Sequence, residues 1–202
     1  MYLLEITLIK TRDIIMFELQ NYASPKSKLT RMIKRGDVIQ VCRGVYITSA
    51  DDPRYPIASM IQSPSYISFY TALSYYQLIP EQSLAIMSAG FKLAREKTFK
   101  TPIGQYSFHY LPDPVFPLAL IPAQEKGYGF RLATPEKAIC DTLYKIRSIS
   151  TIDDMEALLF EDLRLEKEAV LAFDWSTIIQ LVPLYHSTTL QTLLRWKRRN
   201  NV

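Results

Sequence analysis

The feature that most constrains the fold is a basic stretch, residues 24–48, with the sequence SPKSKLTRMIKRGDVIQVCRGVYIT. Ser24 is a good N-cap, and Pro25 suits the first helical position because the backbone N–H that proline lacks has no helical partner there. Gly36 stands where a left-handed C-cap is expected. Between them the apolar side chains recur at helical spacing, at Leu29, Met32 and Ile33. These signals predict a short amphipathic helix from residue 25 to about residue 35.

A two-stranded hairpin is predicted directly after this helix. Two runs rich in β-branched and aromatic residues, 38–41 and 45–47, flank the dipeptide Arg43-Gly44. Gly44 provides the backbone freedom that a tight turn needs. A basic helix followed by a basic-tipped hairpin is typical of a winged helix-turn-helix, in which the helix enters the major groove and the wing contacts the backbone.

The whole net charge of +4 lies in the first 48 residues, which hold eight basic and four acidic side chains, whereas residues 49–202 hold sixteen of each. Residues 24–48 alone hold six basic side chains and one acidic side chain. Such clustering suits a module that binds DNA phosphates, although an ordinary solvated basic face is the simpler alternative. The residues predicted to contact DNA are Lys26, Ser27, Lys28, Thr30, Arg31, Lys34, Arg35 and Arg43.

The chain is predicted to be an α+β protein with two domains. Residues 1–48 form the winged helix-turn-helix, with two further helices at about 2–10 and 17–23. Residues 49–57, SADDPRYPI, form a stiff linker because they contain two prolines and two acids. Residues 58–202 form a larger mixed domain. A fragment ending near Thr48 is expected to keep weak DNA binding, although 48 residues make a marginal fold.

Within the larger domain, turn and capping signals predict the order of the elements. A buried helix is expected between Ser63-Pro64 and Pro80, followed by β-strands from 83 to 109 and an irregular or edge segment at 111–122. A short strand at 127–132 precedes a helix that Thr134 caps. Further helices follow at 176–182, where Pro183 is expected to break the helix, and from about 188 to 199. The acidic run 153–168 and the basic end of the chain could pair within a monomer or across a dimer, although two solvated helix faces are the simpler alternative.

The sequence offers little for catalysis. It contains two histidines and two cysteines, no spacing typical of a zinc site, and no phosphate-binding or nucleophile motif. We therefore expect no catalytic, cofactor-binding or metal-binding residues. A weak metal site at Asp153, Asp154 and Glu156, as in a metal-dependent nuclease, is a distant alternative, because acidic residues also favour a helix start. No apolar stretch is long enough to predict a transmembrane helix.

Three motifs resemble the AbiEi-like family of antitoxins and transcriptional regulators from abortive-infection toxin–antitoxin systems. They are the recognition helix and wing ending in Arg43-Gly44-Val45-Tyr46, the segment from Ser63 through Thr71-Ala72-Leu73 to Pro80, and Ala133-Thr134-Pro135-Glu136-Lys137-Ala138 followed by Asp141 and Tyr144. Together they span most of residues 24–147. The wing carries Gln40 and Cys42 where family wings often have more arginine.

The resemblance implies an N-terminal winged-helix DNA-binding domain and a C-terminal antitoxin domain. It further implies that the protein represses its own operon and counteracts a nucleotidyltransferase-like toxin, directly or functionally, in phage resistance. The expected partners are double-stranded DNA of its own promoter, on which it could dimerise, and that toxin, with no membrane and a cytoplasmic location. The alternative is a winged-helix regulator whose C-terminal domain senses a ligand or a protein partner.

Overall fold

Two β-sheets organise the protein in the computed structural model, which describes residues 9–51, 53–81, 83–146 and 149–200. The mixed α+β class predicted from the sequence is confirmed. A three-stranded sheet lies near the N-terminus, and a six-stranded sheet with the remaining helices forms the larger part of the chain.

The N-terminal part alternates strands and helices around the small antiparallel sheet. Its elements are β1 (Ile9–Thr11), α1 (Arg12–Glu18), α2 (Pro25–Arg35), β2 (Ile39–Cys42) and β3 (Val45–Ile47). The strand order is β1-β3-β2. The predicted helix α2 and the hairpin are both confirmed, with Gly36 at φ +79° as the C-cap and Gly44 at φ +86° in the turn.

The first two predicted helices differ from the structure. Residues 2–8 of the predicted helix 2–10 lie outside the described residues, and Ile9 begins a strand because β1 pairs with β3, Ile9 opposite Ile47. The second helix is α1, which ends at Glu18 instead of spanning 17–23. It starts early because Thr11 caps it, its hydroxyl accepting a hydrogen bond from the Ile14 amide at 3.4 Å.

The central strand of the small sheet, β3, is buried on both faces. Tyr46 packs with Ile15, Leu19 and Leu29 from α1 and α2 in a local cluster. Neighbouring residues of β3 point to the opposite face, as the two-residue period of a strand requires. There Ile47 belongs to the core of the larger part of the protein, and β3 contacts α3 (Tyr55–Ile61). This helix begins inside the predicted linker 49–57, at Tyr55.

The larger sheet has the strand order β6-β7-β5-β4-β9-β8. Its strands are β4 (Ser65–Ile67), β5 (Ala85–Gly90), β6 (Lys97–Thr101), β7 (Gly104–His109), β8 (Leu120–Glu125) and β9 (Tyr128–Ala133). The helices after α3 are α4 (Phe69–Tyr75), α5 (Pro135–Lys145), α6 (Ile152–Ala157), α7 (Lys167–Leu171), α8 (Trp175–Tyr185) and α9 (Thr188–Arg199). A 3₁₀ turn at Asp113–Val115 and a π-helical turn at Leu158–Asp162 complete them.

The buried helix predicted after Ser63-Pro64 is wrong in its first half. Residues 65–67 form β4, a central strand that pairs with β5 on one side and β9 on the other, and only residues 69–75 are helical. The two flanking strands supply backbone hydrogen bonds, so the pairing overrides the helical pattern. Segment 111–122 is an irregular segment followed by the edge strand β8, where Pro122 is tolerated.

The C-terminal helices also differ in one detail. Pro183 does not end α8, which continues to Tyr185, because the flanking residues Val182 and Tyr185 are held in the core.

An ion pair between Asp153 and Arg199 at 2.8 Å joins the acidic and basic segments within one chain. No helix in the described part of the chain is both long and apolar enough to cross a membrane.

Candidate nucleic-acid interface

The outward face of α2 is a row of polar side chains. Ser27, Arg31 and Lys34 follow one another at helical spacing on the side opposite the buried Leu29, and all three are exposed. The guanidinium Nε of Arg31 donates a hydrogen bond to the Ser27 carbonyl oxygen at 3.4 Å, which holds its long side chain along the helix. These three residues are therefore the centre of the exposed surface of α2.

The other predicted contact residues of α2 flank this row. Lys26, Thr30 and Arg35 are exposed. The Thr30 hydroxyl donates to the Lys26 carbonyl at 3.0 Å, so its proton is already used by the helix backbone. The hydroxyl oxygen of Thr30 can still accept a hydrogen bond from a ligand.

Lys28 differs from the other cations because it packs against an aromatic ring. It is half-buried, with its ammonium 4.8 Å from the centroid of the Tyr22 ring. This cation–π contact fixes the ammonium at the edge of α2. Sequence analysis placed Tyr22 in a helix and did not include it in the site, whereas the side chain is 49% exposed. Its position before Ser24, at the turn into a basic helix, was the available signal.

The hairpin turn carries Arg43, which is exposed as expected. A second arginine that the sequence analysis missed lies beside this turn. The backbone N–H of Arg12 donates to the Gly44 carbonyl at 3.0 Å, and its side chain is exposed. The pairing of β1 with β3 brings Arg12 next to the turn. Arg12 and Arg43 are 31 positions apart in the sequence, so the sequence alone did not indicate that they are close.

Few acidic groups oppose these cations. Within the described residues, none of the six lysines and arginines predicted to contact DNA forms a salt bridge, and Glu18 on the neighbouring helix pairs with Lys10 at 2.8 Å. Asp37 is the one acidic side chain in segment 24–48. The basic face defined by α2, Arg12 and Arg43 is therefore available to an anionic partner.

The structure brings all eight predicted contact residues into the same N-terminal unit, on α2 and the adjoining hairpin turn. Such a surface can neutralise phosphates and release their counterions, and long side chains on an exposed helix can reach base edges. In the part of the chain that the structure describes, no group of three or more His, Cys, Asp or Glu side chains lies close enough to hold a metal ion.

Comparison with known proteins leaves the family of the chain open. A search against protein-family models gave no match, and a search of curated proteins gave no significant match.

Proposed function

We propose that the chain is a transcriptional regulator that binds duplex DNA through a winged helix-turn-helix formed by β1, α1, α2, β2 and β3. In this arrangement α2 is the recognition helix and the turn at Arg43 is the wing. The order of the elements and the antiparallel strand order β1-β3-β2 support the proposal.

The observation that carries the proposal is the exposed, unpaired cationic face of α2. Arg31 and Lys34 lie at its centre, and the apolar residues Leu29, Met32 and Ile33 fix the opposite face to the protein. The helix therefore presents a fixed set of donors to a partner. Phosphate oxygens are suitable acceptors, and neighbouring donors can reach base edges once the phosphates set the register.

The proposal is tested by titrating the full-length protein with its own promoter DNA at several salt concentrations. Arg31→Ala/Lys34→Ala should weaken binding and reduce the slope of log K against log salt by about 2, roughly one unit for each lost phosphate contact. The matched control is Lys100→Ala/Lys167→Ala, which removes the same charge from exposed positions on β6 and α7.

The control should retain the affinity and the salt slope of the unmodified protein. Equal losses in both double variants would show a non-specific charge effect, and an unchanged salt slope in the Arg31 and Lys34 variant would exclude α2 as the phosphate-binding helix. If Lys197→Ala/Arg198→Ala abolished binding instead, the basic end of α9 would be the binding surface.

We further propose that the regulator is the antitoxin of a toxin–antitoxin operon in the cytoplasm, where it represses its own promoter and counteracts a nucleotidyltransferase-like toxin. The resemblance of the three motifs to AbiEi-like regulators supports this role. Co-expression with the neighbouring gene tests it. The neighbouring gene alone should stop growth, and the full-length chain should restore it. Growth arrest that the chain does not relieve would refute the antitoxin role without affecting DNA binding.

A further inference from the structure

A cavity of about 380 Å³ lies in the larger part of the protein, outside the basic face. It is open to solvent on one side and is lined by residues of α4, β5, β7 and α5 and of the connection before β6. One wall is apolar and is formed by Phe69, Met87 and Ile146. A volume of this size accommodates a small organic molecule.

Three ionisable side chains meet at the other wall of the cavity. One oxygen of Glu96, Oε1, lies 2.5 Å from the Lys145 ammonium and 3.1 Å from Nδ1 of His109. The other ring nitrogen of His109, Nε2, lies 3.1 Å from the Ser107 hydroxyl, which orients the imidazole. The hydrogen bond from Lys145 lowers the pKa of Glu96, and His109 adds to the lowering. The position of the Glu96 oxygen is thus electrostatically favourable for an anion.

The three side chains are not equally fixed. Lys145 belongs to α5 and His109 to β7, and their side chains are 31% and 16% exposed. Glu96 precedes β6 on the connection from β5, and its side chain is 52% exposed. The two nitrogen groups are therefore built into the regular structure, whereas the carboxylate reaches them from the solvent side. A carboxylate in this position can be exchanged for another one.

Phe69, in the apolar wall of the cavity, has an unfavourable backbone conformation. It has φ +56° and is 1% exposed, although bulky side chains rarely adopt left-handed backbone conformations. Its ring centroid lies 5.0 Å from that of His109. Such unfavourable backbone positions are concentrated at ligand-binding and active sites. Phe69 thus combines an unfavourable backbone conformation with a phenyl ring that lies beside His109.

We propose that this cavity binds a small monocarboxylate with an apolar body. The ligand carboxylate replaces that of Glu96 between Lys145 and His109, and the apolar body packs against Phe69, Met87 and Ile146. This inference does not depend on DNA binding by the N-terminal unit, because it rests on residues of the larger part of the chain alone.

Benzoate is a suitable probe because it combines a carboxylate with a flat apolar ring, and benzamide is its uncharged counterpart. The full-length protein is labelled with ¹³C at the methionine methyl groups, and Met87→Leu assigns the Met87 signal. Benzoate should shift the Met87 signal saturably at millimolar concentration. The signal of Met155, which is buried in α6, serves as the internal control. Benzamide should bind about tenfold more weakly, because it lacks the charge that Lys145 recognises.

Two variants separate exchange of the carboxylate from general binding. Glu96→Gln should tighten benzoate binding several-fold, because the competing carboxylate is removed while Lys145 and His109 remain in place. Lys145→Met should weaken it about tenfold or more. Lys92→Met is the matched control, since Lys92 is exposed on the connection from β5 but does not line this cavity. It should leave benzoate affinity unchanged.

Several results would overturn the proposal. They are the absence of a saturable shift at Met87, equal binding of benzamide and benzoate, and equal losses in Lys92→Met and Lys145→Met. Weaker benzoate binding by Glu96→Gln would mean that Glu96 is a fixed part of the fold and not an exchangeable anion. Each variant is checked for an unchanged thermal unfolding midpoint, and Lys145→Gln replaces Lys145→Met if the latter unfolds.

Discussion

Lys137 and Asp141 form an ion pair inside the protein, one turn apart on α5, with Nζ and Oδ1 separated by 3.1 Å and both side chains fully buried. Three hydroxyl groups complete the network. Tyr185 accepts a hydrogen bond from Lys137 at 2.9 Å and donates to Asp141, and Tyr66 and Ser68 donate to Asp141 at 3.1 and 2.6 Å. The network connects α5 with α8, β4 and the start of α4, so the position of each element depends on the same carboxylate.

Removing one member of this pair should be strongly destabilising. Asp141→Leu leaves the ammonium of Lys137 buried without its counter-charge, and we expect a loss of about 3–5 kcal/mol in the free energy of unfolding. Arg199→Ala, which removes one member of the exposed pair with Asp153, should cost about 1 kcal/mol or less. Urea denaturation measures both. Equal costs would show that burial of the Lys137 pair has no energetic consequence.

The double variant Lys137→Met/Asp141→Leu tests how much of each single variant's cost comes from leaving the other charge buried without a partner. It removes both charges together, so its cost should be smaller than the sum of the costs of the two single variants. Additive losses would instead show that the side chains act independently, through their contacts with other residues.

Alkaline pH should destabilise the same network. Burial is the main cause that raises the pKa values of Tyr66 and Tyr185 well above 10.0, and the nearby Asp141 adds to it. The unfolded chain therefore loses these protons at lower pH than the folded protein does. The stabilisation is complete below about pH 10 and is lost as the pH rises through the higher values of the folded state.

Unfolding free energies measured from pH 8 to pH 11 should therefore fall above pH 10. Tyr185→Phe should show a shallower fall, because one of the two phenols no longer titrates. A fall of the same steepness in Tyr185→Phe would assign the alkaline transition to other groups. Tyr22→Phe is the control, since the exposed Tyr22 lies outside this network and its substitution leaves both buried phenols in place.

Arg43 and Arg12 should contribute to DNA affinity without reading the base sequence. Both are exposed at the hairpin turn, where a long cationic side chain can reach a phosphate. Arg43→Ala and Arg12→Ala should each weaken binding to a similar extent for all promoter sequences and lower the salt slope by about 1. Binding is measured on a set of promoters with single base-pair changes. A loss confined to one base pair would mean that the wing reads sequence.

Tyr22 should act through Lys28. Because the ring lies under the Lys28 ammonium, Tyr22→Ala should lower DNA affinity and Tyr22→Phe should retain it. In a cycle with Lys28→Ala, the loss from the double variant should be smaller than the sum of the two single losses. Additive losses would indicate that Tyr22 contacts DNA by itself.

The basic helix and its turn were predictable because their signals are local. Pro25, Gly36 and Gly44 specify backbone conformations within a few residues, and the structure has those conformations. Ser24 stands at the N-cap position, but its hydroxyl donates to that of Ser27 and caps no backbone amide of the helix. Strand β4 was not predictable in the same way, since three residues with helix-like surroundings become a strand only when two distant strands flank them. Local propensity predicts secondary structure poorly wherever pairing with distant strands determines it.

The groups that sequence analysis missed share this dependence on distant pairing. Arg12 approaches the hairpin turn only through β1, and Glu96, His109 and Lys145 come from the connection before β6, from β7 and from α5. Lys137 is a different case. Sequence analysis gave Glu136 and Lys137 no role beyond their motif, whereas Glu136 accepts a hydrogen bond from the Asp174 amide at 3.0 Å and Lys137 is buried. The spacing of Lys137 and Asp141 on the apolar face of α5 was the overlooked signal.

The last prediction concerns the dependence of the DNA-binding unit on the rest of the chain. Ile47 of β3 and Ile57 of α3 are 1% and 0% exposed and belong to the same core. A fragment ending near Thr48 would expose Ile47 and its neighbours on that face to water. We therefore expect that this fragment neither unfolds cooperatively nor binds DNA, in contrast to the weak binding expected from the sequence. A dispersed amide NMR spectrum of residues 1–48 would contradict this.

A milder test keeps the chain intact. Ile57→Ala should cost about 2–5 kcal/mol, as other buried truncations of this kind do, and should also raise amide hydrogen exchange in β2 and β3. Ile139→Ala is the matched control because Ile139 is equally buried, on α5, which packs against α4 and α8. It should cost a similar free energy but leave exchange in β2 and β3 unchanged relative to its own global stability. If both variants raised exchange there equally, the small sheet would respond only to global stability, and the contact between β3 and α3 would have no specific role in holding the DNA-binding unit.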